Sequence, residues 1–184
     1  ICDDIKNISF NSYKNKIDGV IGGPPCQPYS QTRHYLTNKK KGFNDKASGY
    51  TVPQFLRVIS EAAPKFFFFE NVDGFSYKTH KDELDYFLST ADELGYKNFY
   101  KIINTANYGV PQTRKRFLCV GIKKDLPDFV FPAETHTNNI ELNSDLQPWV
   151  TCKDCLSDFD SILESEKKNI PGGKHRDLFK VIPP

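Results

Sequence analysis

Apolar positions along the chain fall into two periods. Val52, Phe55, Leu56, Ile59 and Ala62 recur at helical spacing and Pro64 stops them, so the pattern predicts a helix over 52–63. Leu84, Phe87, Leu88, Ala91 and Leu94 predict a second helix over 79–94, with Thr79 as its cap, Asp82 three residues on, and Gly95 as its stop. Other stretches read as strands. Ile17-Asp18-Gly19-Val20-Ile21 is short and apolar, while residues 65–72 contain four consecutive phenylalanines, as expected of a strand covered on both faces by helices. Residues 96–103 and 117–122 are strand-like and predict an antiparallel hairpin that closes the sheet. Beyond Lys123 the chain is rich in proline and polar residues, with one short helix expected at 154–159. Strands alternating with helices predict an α/β fold with a mostly parallel sheet.

Composition narrows this picture only modestly. The 184 residues suit about one domain, and 38% hydrophobic with 26% charged residues describes a soluble globular chain. A net charge of +2 is too small to name a polyanionic partner, so any nucleic-acid surface must be a local patch. No signal peptide or membrane-length apolar run is present, which makes a cytoplasmic location the default and a membrane partner unexpected. Five cysteines at irregular spacing suit reduced thiols, and Cys152-x-x-Cys155 lacks a second ligand pair, so no metal is expected. The chain has no methionine and opens on Ile1, and is read as a fragment.

Candidate chemistry gathers at three places. Gly22-Gly23-Pro24-Pro25-Cys26-Gln27-Pro28-Tyr29-Ser30 puts one thiol on a stiff, open turn just past a strand's carboxyl end, where α/β folds bind ligands. Glu70 closes the phenylalanine run at the same sheet edge, and burial there would favour a protonated carboxyl. In the segment from Ala106 to Arg116, an extended backbone would place Gln112, Arg114 and Arg116 on one face. Between these lies a polar stretch from Gln31 to Tyr50 with Arg33, His34, Lys39, Lys40 and Lys41, read as a long loop able to close over a phosphate backbone.

Pro24-Pro25-Cys26-Gln27, then Glu70-Asn71-Val72, then Gln112-Thr113-Arg114-Lys115-Arg116 resemble, in this order, the signature blocks of cytosine-C5 DNA methyltransferases of the bacterial modification type. The resemblance implies a Rossmann-like S-adenosylmethionine methyltransferase sheet with an antiparallel terminal hairpin, incomplete at its N-terminal side. It implies a partial catalytic domain over 1–125 and a loop-rich lead-in over 126–184 to a target-recognition region beyond this chain. Cys26 would be the nucleophile, Glu70 and Arg116 would hold the cytosine, and Arg114 would support the nucleophile by charge. Asp4, Ile5, Gly23 and Pro25 would contact S-adenosylmethionine, and Gln27, Ser30, Arg33, Lys39, Lys40, Lys41 and Gln112 would contact duplex DNA. Two features depart from the family pattern. No glycine-rich cofactor loop precedes Cys26, and Ser48 and Thr51 stand where the family shows an arginine and a leucine. A tRNA-methylating branch of the family shares the cysteine block, although the stretch from Trp149 to Phe159 favours the DNA branch. The remaining alternative is a catalytically incompetent piece that binds nucleic acid. An incomplete sheet would also expose a strand edge and promote self-association.

Overall fold

The computed structural model describes residues 3–27, 29, 43, 49–140 and 145–156. Its central sheet contains β1 (Gly19–Gly22), β2 (Phe66–Val72), β3 (Tyr96–Asn104) and β4 (Lys115–Lys123), in the order β1-β2-β4-β3. β1 and β2 pair in parallel, and β4 runs antiparallel to both β2 and β3. Three strands therefore point one way and β4, inserted between β2 and β3, points the other. The expected terminal hairpin is present as β3 and β4. Two helices, α1 (Thr51–Ala62) and α2 (Lys81–Glu93), connect the strands, and beyond β4 lie β5 (His136–Thr137), β6 (Gln147–Pro148) and α3 (Cys152–Leu156).

The phenylalanine run divides by the two-residue period of a strand. Phe67 and Phe69 are fully buried, whereas Phe66 and Phe68 are half-buried on the opposite face. Phe55 of α1 and Phe87 of α2 close on the buried pair, with ring centroids 5.3 Å and 4.4 Å from Phe69. α1 and α2 thus cover one face, which corrects the expectation of helices on either side. On the other face, Ile21 is 75% exposed, and cover comes at the β3 side from the chain after β4, where Phe129 meets Phe99 and the Lys97 ammonium donates to the Leu126 carbonyl. Among the described residues, β1 has no partner along its outer edge.

Two helix boundaries depart from the sequence pattern. α2 begins at Lys81, because 3-10 turns at Asp73–Ser76 and Lys78–His80 precede it, so Thr79 is not its cap. His80 takes the cap position with its side chain 3% exposed, drawn into the interior instead of turned back on the helix. Gly95 does end the helix, with φ of 88°. α3 begins at Cys152, slightly earlier than expected, and residues 157–159 lie outside the described residues.

Tight packing sets a stability prediction at Gly121. A Cβ there would lie 1.9 Å from the Phe67 ring, itself fully buried between α2 and β3. Gly121→Ala is expected to lower unfolding stability by about 2–3 kcal/mol through overpacking, measured as a lower urea midpoint at unchanged m-value.

Candidate active site

β1 and β2 are parallel, so the turn after β1 and the end of β2 meet at one sheet edge. Cys26 stands exposed on that turn, and its carbonyl accepts from the Tyr29 amide at 2.9 Å. The turn is tied to β2 from below. Asn71, 1% exposed, donates through Nδ2 to the Pro24 carbonyl at 3.3 Å. Glu70 approaches the same turn, since a Cβ built on Gly23 would lie 3.1 Å from Glu70 Oε2. Gly23 is the position where bare backbone gives the carboxylate room.

β4 brings the arginine. Arg116 sits opposite Val72, and Glu70 opposite Leu118, so Glu70 and Arg116 are diagonal neighbours on one face. Arg116 Nε and Glu70 Oε1 form an ion pair at 2.8 Å, with side chains 19% and 38% exposed. Arg116 Nη1 also donates to the Lys115 carbonyl, which fixes the guanidinium's direction. The Glu70 carboxyl, expected from the sequence to be buried beside the phenylalanine run, is instead partly exposed. The pleat turns it to the less covered face, where it meets a cation.

Of Gln112, Arg114 and Arg116, for which one extended face was predicted, only Arg116 lies within a strand. β4 starts at Lys115, and Thr105 ties down the segment just before it. Its hydroxyl donates to the Gln112 carbonyl at 2.7 Å and its amide to the Arg114 carbonyl at 3.0 Å. Gln112 and Arg114 are exposed at this rim. Ser30, Arg33, Lys39, Lys40 and Lys41 lie outside the described residues, as do His34, Ser48 and Cys2.

Beside the cysteine turn is a cavity of about 580 Å³, lined by Ile5, Val20, Gly23, Pro25, Thr51 and Phe55 among others. Its size and mostly apolar lining suit a small organic ligand. Ile5, Gly23 and Pro25 all line this cavity. Asp4 precedes Ile5 and caps the 3-10 turn Ile5–Asn7. Its side chain accepts from the Lys6 amide, which with Lys6's charge and the Tyr50 hydroxyl holds its carboxyl below the usual range.

This N-terminal wall hangs on Arg57 of α1, whose guanidinium donates to the carbonyls of Ile5 and Ile8 and pairs with Glu61. Glu61 in turn accepts from the Phe10 amide at 2.7 Å. That hydrogen bond, followed by Arg57, holds Glu61 below its ordinary value of 4.5. A depressed carboxylate stabilises the fold above its unfolded value and loses that contribution as pH falls through the folded one. The Phe10 amide is therefore expected to stay protected at neutral pH and to exchange faster below pH 4.5, ahead of the α2 amides, in pH-corrected hydrogen exchange.

Other cysteines behave differently from Cys26. Burial pushes the Cys119 thiol up to about 12, so it remains a protonated core group. Cys152 and Cys155 are exposed, and Cys152 Sγ donates to the Pro111 carbonyl. Among the described residues no His, Cys, Asp and Glu group is placed to hold a metal, and no helix is long and apolar enough to cross a membrane. Sequence reading missed Asn71 as a tie to the turn and Arg57 as the support of the cavity wall. Asn71 had a readable signal, a polar residue closing an apolar strand pattern; an arginine at helical spacing gives none.

A thiol, a carboxylate and an arginine thus stand at one edge of an α/β sheet, beside a mostly apolar cavity. The model of the C-5 cytosine-specific DNA methylase family matches residues 1–177, and the chain belongs to that family. It is 31% identical to the type II methyltransferase M.SacI of Streptomyces achromogenes over 90% of this chain and 42% of that protein. With M.FnuDI of Fusobacterium nucleatum the identity is 38% over 64% of this chain and 33% of the relative. A candidate DNA modification methyltransferase encoded in an E. coli prophage is similar in structure, with a TM-score of 0.58 and 27% identity over 84% of this chain and 40% of the other. The chain thus spans less than half the length of these relatives.

Proposed function

We propose that this chain carries the catalytic side of a restriction-modification DNA (cytosine-5-)-methyltransferase, with residues 1–125 the catalytic part and 126–184 leading towards a target-recognition region. The observation that supports it most is the convergence of the Cys26 turn, Glu70 and Arg116 at one edge of the sheet. Ile5, Gly23 and Pro25 fit S-adenosylmethionine, with Asp4 beside them, because they border a mostly apolar cavity that opens next to the cysteine turn. When bound, that cofactor supplies the methyl group.

Cytosine C5 is weakly nucleophilic, so the ring must first be activated. Cys26 as thiolate attacks C6, breaking the C5–C6 double bond and moving its electrons to C5. Glu70, protonated or sharing a proton, hydrogen-bonds N3 and the exocyclic amine. Arg116 directs its planar fork at O2, and Arg114 adds positive charge near the nucleophile. The existing Glu70–Arg116 pair is opened by the incoming base, which takes over one contact of each partner. Once C5 carries the methyl group, its proton passes to water, the C5–H electrons re-form the C5–C6 double bond and the Cys26 thiolate is expelled. A stacked base is out of reach, so the cytosine is flipped out at a cost of about a few kcal/mol. Gln27 and Gln112, with Ser30, Arg33, Lys39, Lys40 and Lys41, contact the duplex. β1's unpaired edge takes up a further strand, and in its absence the chain self-associates.

The test is incorporation of labelled methyl from S-adenosylmethionine into duplex DNA and into tRNA, with the modified position mapped. Label at cytosine C5 in DNA supports the reading. Label only in tRNA, or none with folded protein, contradicts it.

A further inference from the structure

We infer that Tyr29 is the positioning residue for Cys26, held in a socket built by Gly74, Phe75 and His80. This rests on the proposed role of Cys26. Tyr29 is 2% exposed although Cys26 and Gln27, just before it, are exposed. Its ring meets Phe75 edge-on at 4.8 Å and His80 edge-on at 5.2 Å. The amide of Tyr29 donates to the Cys26 carbonyl at 2.9 Å, so the position of Tyr29 sets where the cysteine turn ends. Gly74 completes the socket. A Cβ there would lie 2.3 Å from the Tyr29 carbonyl oxygen, a backbone atom that cannot swing aside.

The socket has hydrogen bonds of its own. Asp73 Oδ1 accepts from the Gly74 amide, and Asp73 Oδ2 from the Tyr77 hydroxyl at 2.7 Å. It also continues directly from β2, whose Glu70 faces the turn and whose Asn71 holds Pro24. Cys26 is therefore fastened on both sides to one piece of chain: Pro24 by Asn71 before it, Tyr29 by the 73–80 turns after it. That arrangement fixes the thiol relative to Glu70, so that nucleophile and base-holding carboxyl move together. A misplacement of about 1 Å in such a pair costs on the order of 10²-fold in rate.

The full chain is compared with Gly74→Ala, Tyr29→Leu and Tyr29→Phe, each first shown to melt cooperatively. Two readouts are taken: hydrogen exchange at the residue 29 amide and the single-turnover methyl-transfer rate, with DNA affinity measured separately. Gly74→Ala and Tyr29→Leu are expected to speed exchange at residue 29 and to lower the rate by about 10²-fold with DNA affinity little changed, while Tyr29→Phe keeps both near wild type. Wild-type exchange in both variants, or faster exchange with an unchanged rate, overturns the inference. If Gly74→Ala fails to fold, Tyr29→Leu against Tyr29→Phe decides. An inactive wild-type protein would count against the proposed function instead. The inference is then read from iodoacetamide labelling of Cys26 relative to Cys155: a ratio shifted in Gly74→Ala but not in Tyr29→Phe supports it, and an unshifted ratio overturns it.

Discussion

Cys26→Ser is expected to reduce methyl transfer to DNA by on the order of 10⁴-fold or more, the scale of losing a nucleophile, while leaving the melting temperature near wild type. Both halves follow from where the residue stands. Its side chain is exposed on a turn whose shape is set by Pro24, Asn71 and Tyr29, so the fold does not depend on the thiol. No other described cysteine can take its place: Cys119 is a buried, protonated core group, and Cys152 and Cys155 belong to α3 beside Pro111. The serine hydroxyl is nearly the same size but is far less ionised at neutral pH. A Cys26→Ser protein within tenfold of wild type, in a radiolabelled methyl-transfer assay, would remove the nucleophile from this account.

Glu70 and Arg116 give the second large effect. Glu70→Gln and Arg116→Met are each expected to lower the single-turnover rate by about 10²–10³-fold, since each withdraws one contact from the reacting ring. The combined variant is expected to fall little below the worse single one, because the two side chains already form a unit at 2.8 Å. Neither change should matter much to stability. The pair is partly exposed, and such pairs contribute about 0–1 kcal/mol. Rates that multiply in the double variant would show that the two act independently.

Much of this site was readable from residue types and order. Gly23, Pro24 and Pro25 cannot continue a strand, so Cys26 had to fall on a turn, and Glu70 closes an apolar run that had to be a strand. Parallel pairing of β1 and β2 then brings them together. What the chain did not disclose depends on which way a side chain faces and on partners distant in sequence. Four phenylalanines in a row suggested cover on both faces, yet only Phe67 and Phe69 meet the helices, because α1 and α2 pack on the same side. Glu70 consequently meets Arg116 and not an apolar wall. Alternation along 112–116 suggested one extended face, but the Gln112 amide turns back onto the Val110 carbonyl and β4 begins only at Lys115. Tyr29 read as one more turn residue, and only the fold places it against Phe75 and His80.

The most direct measurement is covalent trapping on duplex DNA bearing 5-fluorocytosine, in the presence of S-adenosylmethionine, followed by mass spectrometry of the digested adduct. Fluorine cannot leave C5 as the proton does, so attack at C6 becomes irreversible. The account predicts an adduct on the peptide containing Cys26, and none in Cys26→Ala. An adduct on a different cysteine, or no adduct from protein that is folded and bound to that DNA, would contradict it.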